Sequence, residues 1–221
     1  MKTYTNAQEL AVKAELSRPV YYCGLDLGQS KDYSAFCTLE RIGTCIENFT
    51  YQCRFLHRWP LKTRYTDIVE DVLKWTNSPT VTKNVQHRTI LAIDQTGVGA
   101  AVVDLFRRSE MRSKLVPIMI TAGSQITKDS YSIKIPKREL VGVVAVALQN
   151  HTLRISPELP LSEMLIKELE NFNAKITDAG HAGFGAAMDW RVGNNDDLVL
   201  AVSMALWCAA NGIRPAKFYS M

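Results

Sequence analysis

The amino-acid sequence predicts an α/β fold with a mixed central sheet, three antiparallel strands followed by parallel ones, flanked by helices. Three observations carry this expectation. First, residues 20–27, 34–41 and 45–56 are rich in β-branched and aromatic side chains, and only turn signals at 28–32 and 42–44 separate them. Connections that short suit hairpins, which makes the three strands antiparallel neighbours. Second, residues 89–93 form an uninterrupted apolar run of the kind a buried parallel strand requires. Gly97, Gly99, a helical stretch at 100–108 and a strand at 115–120 follow, completing a strand–helix–strand unit. Third, apolar residues recur at helical spacing over 65–75, 138–149, 161–173 and 196–210.

Taken in order, residues 1–18 read as a helical lead-in. Thr5 and Gln8 resemble a capping box, Leu10, Val12 and Leu16 give a partial apolar stripe, and Pro19 ends it. Residues 19–221 are then expected to form a single domain. Its first helix carries Tyr65, Ile68, Val69, Val72, Leu73 and Trp75 on one face, and a short strand is expected at 153–155. The glycine-rich stretch 178–195 fits a hairpin or a loop. No internal repeat or low-complexity tract interrupts the chain.

Composition excludes several classes. The 221 residues are enough for one full-sized core, and 47% apolar with 22% charged residues is the balance of a globular protein. No run approaches the ~18 uncharged apolar residues of a membrane span. Glu9, Lys13, Glu15 and Arg18 interrupt the N-terminal stretch, so it lacks a signal-peptide core and a cytoplasmic protein is expected. The net charge of +4 permits contact with phosphates without arguing for it. Cys23, Cys37, Cys45, Cys53 and Cys208 include no C-x-x-C pair and read as small buried hydrophobes. His57, His87, His151 and His181 are scattered, without metal-ligand spacing.

The informative residues are acidic. Asp26 lies inside the apolar strand YYCGLDLG, where a lone carboxylate costs several kcal/mol unless it is paired or ligates a metal. Asp94 directly follows LAI, at the C-terminal end of the parallel strand, where ligands of open α/β sheets gather. Asp196 and Asp197 open the last helix. Each has a plainer reading: a turn aspartate for Asp26, a helix cap for Asp94, a first-turn carboxylate favoured by the helix dipole for Asp196. Together they fall where the topology can bring them to one sheet edge. Clustered carboxylates repel unless a cation lies between them, and all-oxygen ligands favour Mg²⁺ or Mn²⁺. Two such ions serve phosphodiester hydrolysis.

The segments GLDLGQSKDYSA (24–35), LAIDQTGVGAAVVDLF (91–106) and NNDDLVLAVSMALW (194–207) resemble the three acidic motifs of the nuclease domain of tailed-bacteriophage terminase large subunits. That family belongs to the ribonuclease H-like superfamily, with Holliday-junction resolvases and many transposases. IPKRELVGVVAVALQNHTLRI (135–155) is similar to the family's stretch between its second and third motifs, so the resemblance spans 20–210. It implies a metal-dependent DNA endonuclease with two Mg²⁺ or Mn²⁺ ions. Asp26 would be the shared ligand, Asp94 would complete one site and Asp196 with Asp197 the other, with Asp32 as an auxiliary ligand. Lys137 would meet the DNA backbone. Double-stranded DNA, a packaging ATPase, a small terminase subunit and a portal protein would be partners, in a bacterial host's cytoplasm.

Two departures stand out. The family's third motif often reads His-Asp-Asp, whereas Asn195 precedes the pair here. No G-x-x-x-x-G-K-[ST] loop is present, so the resemblance implies a nuclease without its motor. Candidate DNA contacts are Arg54, Arg58, Lys62 and Arg64; Arg107, Arg108, Arg112 and Lys114; and Lys137, Arg138 and Arg191, although such clusters are more often simply solvated faces. Rival readings are an actin- or sugar-kinase-like ATPase, for which GLDLGQS resembles the first phosphate loop, a resolvase or transposase core, and a non-catalytic DNA-binding or assembly module.

Overall fold

The computed structural model describes residues 10, 11, 14, 17–28, 32–44, 48–78, 88–97, 99–181 and 196–215, with the backbone alone over 172–181. Strands β1 (Val20–Asp26), β2 (Ala35–Ile42) and β3 (Thr50–Arg58) form the expected antiparallel meander. Helix α1 (Tyr65–Thr76) leads toward β4 (Thr89–Asp94), which pairs parallel with β1. Helix α2 (Gly99–Arg108) then crosses to β5 (Lys114–Thr121), parallel to β4. A hairpin of β6 (Thr127–Lys128) and β7 (Ile133–Pro136) adds β7 parallel to β5. Helix α3 (Lys137–Gln149), β8 (Leu153–Arg154), α4 (Ser162–His181) and α5 (Asp197–Ala210) complete the chain. The eight strands lie in the order β6-β7-β5-β4-β1-β2-β3-β8.

Most of these elements match the sequence expectation to within a few residues. The β6/β7 hairpin does not, because strands of two and four residues leave little periodicity to read. β3 begins at Thr50, not at residue 45, and α4 continues to His181, past the expected end at 173. The lead-in is helical at residues 10, 11, 14 and 17, and its remainder lies outside the described residues. So do Cys45, His87, Arg191, Asn194 and Asn195, and with them most of the glycine-rich stretch. Cys23, Cys37, Cys53 and Cys208 are free and buried, as expected. His57 sits among Phe55, Trp59 and Trp75. Among the described residues no helix is long and apolar enough to cross a membrane.

The sheet is covered on both faces, and strand alternation sorts the side chains between them. Val20, Tyr22, Ile90 and Ala92 join the core beneath α3, α4 and α5, while Cys23, Leu25, Leu91 and Ile93 join the core beneath α1 and α2. α5 is buried on every side from Asp197 to Ala209, as a helix wedged between a sheet and two other helices must be. Its closest approach is to β1 at Gly24, where a Cβ would overlap the Ala201 carbonyl oxygen. Only glycine lets the two backbones touch there. Gly24→Ala is therefore expected to destabilise the fold by about 3 kcal/mol or more, the upper range of overpacking costs. Denaturant unfolding would read this as a lowered midpoint, and an unchanged midpoint would contradict the packing described.

Candidate functional site

The parallel register of β1 and β4 ends with Leu25 opposite Ile93, so one step further along each strand places Asp26 beside Asp94. Both continue the alternation of Tyr22, Gly24, Ile90 and Ala92, and therefore face the α5 side of the sheet. The Gly24–Ala201 contact brings in the third acid. Two residues along β1 advance about 6.6 Å, and four residues back along α5 recede about 6 Å. Asp197 thus comes over Asp26, at the C-terminal edge of the parallel strands. Lys137, the first residue of α3, follows β7 to the same edge, where its Nζ donates to Asp196 Oδ2 at 2.6 Å. Asp94 is fixed by an Asx turn, its Oδ1 accepting the Thr96 N–H at 2.8 Å, and Thr96 Oγ1 in turn accepts the Ile120 N–H.

The electrostatics show how strained the gathering is. Asp26 is 7% exposed. Burial, and then Asp94, Asp197 and Asp196, push its carboxyl well above the usual range, with Lys137 opposing. Asp197 is raised to about 7, by burial first and Asp196 next, with Asp32 adding and Arg58 opposing. Its Oδ2 is buried without a hydrogen-bond partner. Asp32 itself is exposed at the rim. Among the described residues no three acidic, histidine or cysteine side chains form a ready metal cage. The acids converge, and Lys137 holds Asp196.

No protein-family model and no curated protein sequence matches the chain. Solved structures do. The large terminase nuclease from thermophilic phage G20c superposes with a TM-score of 0.51 at 16% identity, over 85% of this chain and 81% of that one. The human cytomegalovirus terminase nuclease domain, Mn soaked, gives a TM-score of 0.53 at 13% identity, over 97% and 99%. Its inhibitor-bound, Mn-soaked counterpart gives 0.52 at 13% identity, over 98% and 100%. The fold is ribonuclease H-like.

Within this ribonuclease H-like frame, Glu168 is a residue of the site that the sequence analysis does not single out, and Arg58 lies elsewhere than its sequence neighbours imply. Glu168 of α4 is buried, and its Oε2 accepts the backbone N–H groups of Leu198 and Val199 at 3.0 and 3.2 Å. Burial raises it to about 7, with Asp197 adding to the effect. Its position between Leu165 and Leu169 on an apolar stripe was the available signal. Arg58 was grouped with Arg54, Lys62 and Arg64, yet it faces inward, 3.5 Å from Glu168 Oε1 and over the Tyr33 ring at 3.9 Å. The cause is a β-bulge. β2 pairs Thr38 with Phe55 and Leu39 with Cys53, skipping Arg54, so the alternation shifts by one and aims Leu56 and Arg58 at the α5 side.

The other basic candidates scatter. Arg54 pairs with Glu40 and Arg64 with Asp67 on the surface. Arg138 follows Lys137 and donates to the Ser124 carbonyl. Arg107 and Arg108 close α2, and Arg112 and Lys114 precede or open β5. All four therefore lie at the sheet edge opposite the carboxylates.

A pH dependence follows from these groups. Folding raises the carboxyls of Asp26, Asp197 and Glu168, so the native state retains protons that the unfolded chain has released. The penalty is absent below the ordinary carboxylate range; the share from Asp197 and Glu168 is complete above about pH 7 and that from Asp26 adds in the same direction, so stability falls as pH rises through this interval. His57, which burial lowers, acts in the opposite sense. The melting temperature of metal-free protein should fall from about pH 5 to 8, Mn²⁺ should restore it, and Asp197→Asn should flatten the slope. A melting temperature that climbs over this interval, or a slope untouched by Asp197→Asn, would contradict the assignment.

Proposed function

We propose that this chain is a divalent-metal-dependent DNA endonuclease of the terminase type, hydrolysing phosphodiester bonds with two metal ions. The observation that carries the reading is the convergence of Asp26, Asp94, Asp196 and Asp197 on one face at one sheet edge. Support comes from the shared fold with terminase nuclease domains, one of them described as Mn soaked.

The donor set fits hard dications. It offers carboxylate oxygens without thiolate or imidazole, which selects Mg²⁺ or Mn²⁺ over softer metals. Asp197 Oδ2, buried and unpartnered, is a vacant acceptor of the kind a cation satisfies. Asp26, whose carboxyl feels Asp94, Asp197 and Asp196, would serve both ions, with Asp32 assisting from the rim. When bound, the two ions supply a water nucleophile at neutral pH and stabilise the departing 3′ oxygen.

The chain's own residues prepare that site. Asp94, held by the Thr96 amide, would present its carboxylate beside Asp26 with little further rotamer loss. Lys137 holds Asp196 through its ammonium and would be the group to meet a phosphate oxygen. Arg138, next to it, would extend the contact along the backbone, giving binding that is salt-dependent and indifferent to sequence. Arg107 and Arg108, at the far edge, take no part in cleavage and are left for a separate duplex contact. The motor activity would come from a packaging ATPase, with a small terminase subunit and portal protein as further partners, in a bacterial host's cytoplasm.

The test is direct. Purified protein should nick and linearise plasmid DNA with Mn²⁺ or Mg²⁺, fall silent in EDTA, and lose cleavage in Asp26→Asn with its circular dichroism spectrum unchanged. Cleavage by Asp26→Asn at the wild-type rate would refute the metal assignment. A strong preference for four-way junctions would favour a resolvase, and tight Mg-dependent nucleotide binding would favour an ATPase.

A further inference from the structure

Every helix begins with backbone N–H groups that have no partner inside the helix. The usual remedy is the side chain of the residue at the N-cap, and an aspartate is among the best. α5 has Asp196 at that position, yet Asp196 makes no cap hydrogen bond. Its carboxylate points away from its own helix and accepts from Lys137 instead. The amides of Leu198 and Val199, the second and third of the helix, are satisfied by Glu168 of α4, about thirty residues back in the chain.

This substitution is costly. It buries a carboxylate that is 6% exposed, leaves its Oε1 without a hydrogen bond, and recruits Arg58 at 3.5 Å to offset the charge. A cap from Asp196 would satisfy the same amides more cheaply, but it would fold the carboxylate back over α5 and away from Asp26. Capping and ligation compete for one side chain. Glu168 removes the competition.

We propose that Glu168 is a positioning residue for the metal site. Resting on the nuclease reading, the inference is that Glu168 caps α5 in place of Asp196, so that Asp196 and Asp197 are presented to the cluster. Arg58, stacked on Tyr33 and aimed inward by the bulge at Arg54, neutralises the buried cap. Glu168 acts through its two amide bonds, not by touching substrate or metal.

Three substitutions in the full chain separate bonds from charge. Glu168→Gln keeps an oxygen for both amides and loses the charge. Glu168→Asp keeps the charge and withdraws the oxygen by one methylene. Glu168→Ala removes both. Mn²⁺ affinity measured by calorimetry should stay within about threefold of wild type in the glutamine variant, and weaken about tenfold or more in the other two, as when groups orienting metal ligands are removed. The KM for duplex DNA should change little in any of them. Should the alanine variant fail to fold, the glutamine and aspartate variants carry the comparison alone. Wild-type affinity in the aspartate variant, or a glutamine variant as weak as the alanine or aspartate one, would overturn the positioning role. Wild-type protein that does not bind Mn²⁺, or an Asp26→Asn variant that binds it unchanged, would instead bring down the nuclease reading, and this inference with it.

Discussion

The contact between the backbones of α5 and β1 governs the site. Asp26 and Asp94 would repel Asp196 and Asp197 wherever water or distance allowed an alternative, and nothing in the carboxylates themselves brings them together. What brings them together is apolar. α5 is a helix of 14 residues buried along nearly its whole length between the sheet and two further helices. Burying side chains such as Leu198, Val202, Met204 and Leu206 is worth about 1.5–3 kcal/mol each. Gly24 then lets the helix settle directly on β1. The hydrophobic core thus fixes the acids at a separation their charges oppose, and the cost falls on protonation and on Lys137.

That arrangement explains why, among the described residues, the acids converge without forming a ready cage. The fold meets their mutual repulsion by the means at hand. Asp26 and Asp197 hold their protons to higher pH, and the Lys137 ammonium closes on Asp196. On the proposed reading, a divalent ion would supply more positive charge than the lysine and would sit between carboxylates, which a tethered ammonium cannot do. Ligand geometry would then belong to the loaded site, while the placement of α5, β1 and β4 belongs to the fold. At 13–16% identity, the likeness to the terminase nuclease domains is one of fold.

The parts of the site that could be read from sequence are those where chemistry violates its local pattern. Asp26 interrupts an apolar strand, and Asp94 terminates one, so each draws notice without any knowledge of tertiary packing. Glu168 violates its pattern too, between Leu165 and Leu169, but an amphipathic helix tolerates a glutamate at the margin of its apolar face. Nothing local says that α5, and not water, covers it. Arg58 was misplaced for a subtler reason. Strand alternation assigns faces by parity, and a bulge at Arg54 reverses the parity without leaving a turn residue to mark it. The β6/β7 hairpin was lost to brevity alone. Each of these failures is one of pairing, which a single sequence does not encode locally.

The positive charge of the chain divides in the same geometric way. Lys137, Arg138 and Arg58 lie at the carboxylate edge, whereas Arg107, Arg108, Arg112 and Lys114 lie at the other end of the parallel strands. β4 has six residues and β5 eight, so the two edges stand about 20 Å or more apart. That exceeds the Debye length of about 8 Å at physiological salt. On the proposed reading, a phosphate at Asp26 would feel the first group and be screened from the second. Sequence proximity does not separate Lys137 and Arg138 from Arg107 and Arg108, since each pair is a short basic run. Topology makes them unequal: one set lies at the edge of the acids, and any nucleic acid held by the other would lie away from them.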